Sequence, residues 1–553
     1  MEQIPSFNQY IEDSVIKFWD KDAFTDYKGA TLQFHDVARK IEKLHIMFEN
    51  SGVKRGDKIA LCGRNSSHWA VAFLATLTYG AIAVPVQNEF TPEQIHNIVN
   101  HSESKLLFVG DVVCTQVNPD MMPALEGIVY LPDFSIVISR SEQLTFAREH
   151  LNEIFGKRYP KYFRKEHIHY YKEQSPEELA MINYTSGTTG FSKGVMLPYR
   201  ALWGNIDYVL KCLAPNVKPG SNLVSILPMA HMYGLAVEFL FGFINGCHLY
   251  FLNRMPSPSL IAEAFAEVKP RLIVAVPLVI EKIIRRKVLA EVQTNRMKLL
   301  LNMPVINKKI KQHIRDRIME AFGGNAFEII VGGAPLNQGI EEFLNSVGVP
   351  VTIGYGTTET APLITFANYD KYKIASCGPV VDHMEAKVVS PDPANVPGEL
   401  IARGMNVMLG YYKNEEATNA VLDKDGWFHT GDLATMEPSG HIYIKGRIKN
   451  MLLGANGQNV YPEEIEDKLN NMPLVGESII IQRNTKLVAL VHPEIEDKEA
   501  MDFDDDDIKG IMDENLKTLN NQLPPFCKIA AIEIQKEEFQ KTAKKSIKRY
   551  LYK

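Results

Sequence analysis

Few features of this sequence suggest a scaffold held together by cross-links. Its six cysteines, at positions 62, 114, 212, 247, 377 and 527, form no metal-like pair; scattered thiols in a long chain fit a reducing compartment. Positive charge is not in excess: the net charge is −6 and the pI about 6.2, which argues against nucleic acid as a main partner. The opening Met-Glu-Gln-Ile-Pro-Ser-Phe has no basic region followed by an apolar stretch, so a cytoplasmic location is expected rather than export. No long apolar run is uninterrupted. The best candidate, 235–252, contains Glu238, Asn245 and His248 and is broken up by Gly242 and Gly246, so it reads as a buried helix passing into a strand. The acidic stretch 502–507 lacks the spaced glycine and terminal glutamate of a calcium loop, which leaves a solvated approach to a helix. Repeats and low-complexity tracts are absent.

What is present is an ordinary globular composition, 45% hydrophobic and 23% charged, over 553 residues. That length exceeds the size at which single cores stop growing, so several subdomains are expected. Apolar strands at 58–62, 81–86, 106–109 and 272–276 alternate with amphipathic helical stretches such as 34–52, which predicts α/β layers with largely parallel sheets. A break is expected after Gly446. Beyond it, 462–469 opens a helix, 478–481 and 487–491 read as strands, and 508–523 reads as a helix. The division is therefore a large amino-terminal domain, 1–448, of layered sheets and helices, and a small α+β domain, 449–553. The stretch 282–317 is rich in lysine and arginine; a solvated helical face is its first reading and peripheral contact with an anionic membrane its second.

The chemistry-bearing segment is Tyr184-Thr185-Ser186-Gly187-Thr188-Thr189-Gly190-Phe191-Ser192-Lys193-Gly194-Val195, which follows the apolar 179–182. Its glycines permit tight turns and close backbone approach, while Thr185, Ser186, Thr188, Thr189 and Lys193 offer hydroxyl donors and a positive charge. That combination suits a polyphosphate. It is not the P-loop of nucleotide triphosphatases, because Ser192 stands where the second glycine would be needed.

This segment resembles the signature of the acyl-adenylate-forming (AMP-binding) superfamily, and further matches follow in family order. They are Pro228-Met229-Ala230-His231-Met232-Tyr233-Gly234, Gly332-Gly333-Ala334-Pro335-Leu336, Gly354-Tyr355-Gly356-Thr357-Thr358-Glu359, Gly426-Trp427-Phe428-His429-Thr430-Gly431-Asp432 and Lys445-Gly446-Arg447-Ile448-Lys449-Asn450. The resemblance implies an ATP and AMP site built from Thr185, Ser186, Gly187, Thr188, Thr189, Gly190, Lys193, Gly333, Ala334, Pro335, Gly354, Tyr355, Gly356, Thr358, Asp432 and Arg447. It puts His231 beside the acyl carboxylate, Gly333 to Pro335 along the adenine, and Asp432 and Arg447 on the ribose. Glu359 and Thr185 would hold Mg2+. Lys449 would be the hinge on which a mobile carboxyl-terminal domain turns, and Asn456 and Gly457 would border the coenzyme A thiol arm. The segment around Pro277 and Phe322-Gly323-Gly324 is more similar to bacterial long-chain fatty acid–CoA ligases than to aryl or acetate enzymes, which makes 235–252 a candidate wall of an acyl tunnel.

One departure stands out. The family ends in Lys-Thr-x-x-Gly-Lys, whose last lysine meets the carboxylate and the α-phosphate; here the segment is Lys541-Thr542-Ala543-Lys544-Lys545-Ser546, with serine at the lysine position. Lys545, then Lys544, is expected to replace it after a small shift. The expected activity is activation of a fatty acid with ATP to acyl-AMP and pyrophosphate, then transfer to coenzyme A. Two alternatives stay open, a fatty acyl-AMP ligase that loads a carrier protein and a non-catalytic acyl-nucleotide binder.

Overall fold

The computed structural model of the chain describes residues 4–185, 192–254, 256–284, 304–453, 459–483, 486–494, 505–541 and 547–552, with backbone alone at 304–307 and 453. The strands Lys58–Cys62, Ile82–Val86 and Ser104–Val109 are apolar almost throughout and pair in parallel. Strands buried on both faces have that composition because helices cover each side of the sheet. The helix Phe34–Asn50 is one cover: Phe34, Val37, Ile41, Leu44 and Phe48 recur at helical spacing on its buried face. Its first turn is closed by a reciprocal cap between Gln33 and Asp36.

Two sheets carry most of the chain. One has eight strands, in the order Gly410–Tyr411, Lys193–Pro198, Leu179–Thr185, Ile82–Val86, Lys58–Cys62, Ser104–Val109, Gly127–Tyr130 and Ile136–Ser139. The other has seven, in the order Val351–Ile353, Glu328–Val331, Leu272–Ala275, Asn222–Ser225, His248–Phe251, Asp22–Asp26 and Thr31–Gln33. The helix Ser67–Tyr79, apolar nearly all round, lies in the core they share; its Trp69 stacks on Phe73 and meets Phe239 edge-on. The run 235–252 is a helix leading into the strand His248–Phe251, as its sequence predicts, but the helix begins as the π-helical segment Gly234–Leu240. Among the described residues no helix is long and apolar enough to cross a membrane. The basic stretch contributes to the helices Pro277–Ile284 and Pro304–Ala321, and 285–303 lies outside the described residues.

A third sheet departs from the largely parallel expectation. Met384–Val389, Gly398–Gly404, Phe428–Met436 and Ile442–Arg447 pair antiparallel, because connections too short for a crossover helix join several of them. The strand that carries Gly446 ends at Arg447, one residue beyond the glycine, and gives way to the 3-10 turn Ile448–Asn450. Gly446 itself marks a close approach, since a Cβ there would lie 2.7 Å from a carboxylate oxygen of Glu463. Further on, Val475–Arg483, Lys486–Pro493 and Ile529–Ile534 form a three-stranded sheet with the helices Pro462–Asn470 and Asp505–Gln522. Val460, Ile465, Leu469, Ile480, Ala489, Met512 and Leu519 bury a core of their own there. Asp505, Asp506 and Asp507 form the first turn of the helix Asp505–Gln522, where negative charge suits the helix dipole.

Candidate active site

The two large sheets border a cavity of about 2470 Å³. Thr185 and Lys193 stand opposite each other in the antiparallel pairing of Leu179–Thr185 with Lys193–Pro198, and both line it. The hairpin thus delivers both ends of the glycine-rich loop to the cavity, while Ser186, Gly187, Thr188, Thr189 and Gly190 lie outside the described residues. The Lys193 ammonium sits 4.7 Å from the centre of the Tyr411 ring, a cation–π contact. Tyr411 in turn donates its hydroxyl to Oε1 of Glu359 at 2.8 Å. Burial raises the Tyr411 pKa, and the Glu359 charge adds to it, so the hydroxyl keeps its proton and remains a donor.

Glu359 owes its place to a tight local fold. A Cβ on Gly356 would lie 1.8 Å from the carbonyl oxygen of Pro362, so glycine alone allows that approach. The 3-10 turn Thr358–Thr360 follows, closed by the Thr357 amide donating to Thr360 Oγ1 at 3.1 Å. Thr358 is buried beside Glu359 at the cavity wall.

Asp432 and Arg447 are cross-strand neighbours in the antiparallel sheet. Arg447 forms an ion pair with Asp432, Nε to Oδ1 3.0 Å, and the Tyr355 hydroxyl donates to Oδ2 at 2.6 Å. Burial pushes the Asp432 carboxyl up from its ordinary range and Arg447 pulls it back down. Asp432 is 4% exposed, whereas the Arg447 side chain is 64% exposed, so the guanidinium keeps donors for a ligand in the cavity. Asp432 is thus a buried charge on a strand, and Arg447 an exposed one paired with it.

His231 lines the same cavity, and its Nδ1 accepts the Tyr233 amide at 3.3 Å. The Asn183 side chain holds the preceding carbonyl, that of Ala230, at 3.0 Å. Gly333, Ala334 and Pro335 follow the strand Glu328–Val331 at the wall, and Gly333 has a φ of 84°, which favours glycine. Behind His231 lies Glu238, 2% exposed, whose carboxyl burial raises to about 8. An acid that holds its proton more tightly when folded stabilises the fold most at low pH, and that contribution falls as pH rises from about 4.5 to about 8. Glu238→Gln should therefore flatten the fall in unfolding free energy, measured by urea titration, between pH 5 and pH 8, by up to a few kcal/mol. An unchanged slope would show that the group does not titrate in that window.

Residues 11–412 match the AMP-binding enzyme family, and residues 449–552 match the AMP-binding enzyme C-terminal domain. The chain belongs to the AMP-binding enzyme family. It is 31% identical over 507 residues to the long-chain-fatty-acid–CoA ligase of Escherichia coli O157:H7, covering 86% of this chain and 82% of that protein. It is 25% identical over 545 residues to the long-chain-fatty-acid–CoA ligase ACSBG2 of Rattus norvegicus, covering 93% and 77%. Among solved structures, the anthranilate CoA ligase AuaEII in complex with anthranoyl-AMP aligns at a TM-score of 0.79 and 18% identity, over 99% of this chain and 97% of that one. ATP-bound MatB from Rhodopseudomonas palustris aligns at 0.75 and 22%, over 99% and 98%. These two alignments establish the fold alone.

In this AMP-binding enzyme the carboxyl-terminal residues close the other side of the cavity. Lys449 lies in the turn Ile448–Asn450 and lines it, and Asn450 donates to Glu463 Oε1 at 2.6 Å. Lys541 forms an ion pair with Glu477 at 2.6 Å and bridges to Ile547; both Lys541 and Ile547 line the cavity. Lys544, Lys545, Ser546, Asn456 and Gly457 lie outside the described residues. Among the described residues no group of three His, Cys, Asp or Glu side chains is arranged to hold a metal ion. A single carboxylate at a phosphate site nevertheless suits Mg2+, which takes one or two carboxylates together with substrate phosphates. Tyr411 engages only one oxygen of Glu359 at the cavity wall, so that carboxylate fits the part.

Proposed function

We propose that this chain activates a medium- or long-chain fatty acid with ATP, forming acyl-AMP and pyrophosphate, and transfers the acyl group to coenzyme A. The observation that carries this reading is the convergence of Tyr355, Asp432, Arg447, Glu359 and His231 on one cavity, from segments far apart in the sequence. Asp432, oriented by the Tyr355 hydroxyl and the Arg447 ion pair, retains lone pairs for a ribose diol. Lys193 and Arg447 supply positive charge where two anions must approach each other. Mg2+ bound at Glu359 with the nucleotide would neutralise phosphate charge further. The same cavity continues along Val209, Leu213, Val237, Leu363 and Phe366, an apolar wall fit for an alkyl chain. The names of the curated relatives support the acid and the thiol.

The boundary between 448 and 449 is part of this proposal, supported by the separate apolar core from Val460 onward. Lys449, in a short turn between that core and the antiparallel sheet, is placed where a hinge would serve two half-reactions with different attacking groups. The test is a panel of carboxylic acids with ATP, scored separately for pyrophosphate release and thioester formation. Fatty acids of medium or long chain should give both, with acetate and benzoate poor. Acyl-AMP that coenzyme A never accepts would transfer the reading to carrier-protein loading, and no turnover with any acid would favour a non-catalytic binder.

A further inference from the structure

The strand Asn222–Ser225 stops short of the cavity, and the chain must still cross the protein interior before it reaches His231. Ile226, Leu227, Met229 and Ala230 along that path are buried, so their backbone amides and carbonyls need partners from outside the strand. Two side chains provide most of them. Glu238 accepts the Ile226 amide at 3.2 Å on Oε1, and on Oε2 it accepts the Leu227 amide at 3.3 Å and the Ser225 hydroxyl at 3.1 Å. Asn65 donates to the Leu227 carbonyl at 2.6 Å and to Ser225 Oγ at 3.0 Å, and accepts the Met229 amide at 2.9 Å. Ser225 thus joins the two into one knot.

Glu238 lies in the π-helical segment Gly234–Leu240, whose wider turn inserts an extra residue into the helical ladder. Tyr233 and Val237 line the cavity, while the next residue, Glu238, faces back to the end of the strand. One short element therefore supplies the acyl-side wall and fixes the backbone that carries His231. The helix also packs closely on this path, since a Cβ on Gly234 would lie 2.8 Å from the Pro228 carbonyl oxygen.

We infer that Glu238, with Asn65 and Ser225, is a positioning residue for the fatty-acid side of the reaction: it sets where His231 and the Tyr233 and Val237 wall stand. The inference rests on the proposed function for its substrate and on the hydrogen-bond geometry for its mechanism. Above about pH 8, where the carboxyl is ionised, its two oxygens accept all three donors; a glutamine at 238 has the same shape but turns an N–H toward one of them, so at that pH the knot loosens. Asn65→Ala removes the other half and leaves the carboxyl in place.

The experiment compares Glu238→Gln, Asn65→Ala, the double variant and Glu328→Gln as a control. Glu328 is also fully buried, but it accepts from Thr352 and touches none of residues 225–231 in the hydrogen bonds described above. Folding is checked by thermal melts. Adenylation is measured with whichever acid the wild type turns over best. Glu238→Gln and Asn65→Ala should each raise KM for the acid or slow acyl-AMP formation about tenfold, with KM for ATP within about twofold of wild type. The double variant should be no worse than about the poorer single one, because the residues act as a unit. The control should change stability without that split.

A readout that needs no turnover is the imidazole proton resonance of His231, assigned by its loss in His231→Ala. It should shift in both knot variants and stay in place in Glu328→Gln. Should the wild type act on no acid, the proposed function fails, and this resonance alone still decides the positioning role. An unmoved resonance, an equal loss toward ATP and acid, or additive effects in the double variant would overturn the inference. If Glu238→Gln does not fold, Asn65→Ala decides it by the same measurements.

Discussion

Glu359→Gln should cut fatty-acid-dependent pyrophosphate exchange by about a hundred- to a thousandfold, while nucleotide binding changes by only a few fold. Loss of one fixed electrostatic partner at a site of developing charge has that scale. The substitution keeps size and leaves an amide oxygen for the Tyr411 hydroxyl, now 2.8 Å from Oε1, so the fold around the 3-10 turn Thr358–Thr360 should persist. What disappears is the carboxylate charge at the cavity wall beside Tyr411. Tyr411→Phe separates charge from orientation. It retains the carboxylate and the ring under Lys193 but removes one hydrogen bond, worth about 1 kcal/mol, so adenylation should fall about five- to tenfold. Isotope exchange between pyrophosphate and ATP measures both variants. Unchanged exchange in Glu359→Gln would remove this carboxylate from the working site.

Tyr411 also shows what was legible in the sequence and what was not. Residues contiguous along the chain could be read: the strand Leu179–Thr185 leading to the phosphate-type loop, Tyr355 to Glu359, Asp432 and Arg447 all reach one cavity. Tyr411 is 52 positions from Glu359, and it meets it because the strand Gly410–Tyr411 adds to the edge of the eight-stranded sheet beside Lys193–Pro198. A tyrosine after a glycine has no pattern of its own that announces such a contact. The same holds for Glu238. It interrupts an apolar run, which in the sequence argues only against a membrane span, since its three hydrogen bonds depend on a π-helical turn and on the end of a strand 13 positions away. The antiparallel sheet was hidden for a different reason. Its strands are partly exposed, without the continuous apolar runs that mark the parallel strands. The close approach at Gly446 has no sequence signal either, because it depends on the Glu463 side chain 17 positions on.

The displaced lysine is the second large effect expected. Adenylation brings a carboxylate and an α-phosphate together in a partly dehydrated site, and a cation must stand between them. Ser546 cannot supply it. Lys541 is a poor candidate, because its ammonium is already paired with Glu477 at 2.6 Å and its side chain is 19% exposed. That pair, with the bridge from Lys541 to Ile547, anchors both ends of the segment at the cavity wall. Lys545 is therefore proposed as the adenylating cation and Lys544 as its substitute, each with a stem long enough to reach from a neighbouring position. Lys545→Ala should slow pyrophosphate release about a hundredfold or more, yet leave conversion of supplied acyl-AMP and coenzyme A to thioester within a few fold. The second half-reaction needs no cation between two anions of that kind. Lys541→Ala should instead lower thermal stability and weaken both half-reactions together, because it breaks the pair with Glu477 that anchors the segment. Ser546→Lys, which restores the family spacing, should rescue Lys545→Ala at least in part. If neither Lys545→Ala nor Lys544→Ala slows pyrophosphate release while Lys541→Ala abolishes it selectively, the cation is Lys541, and the Glu477 pair must open for each turnover.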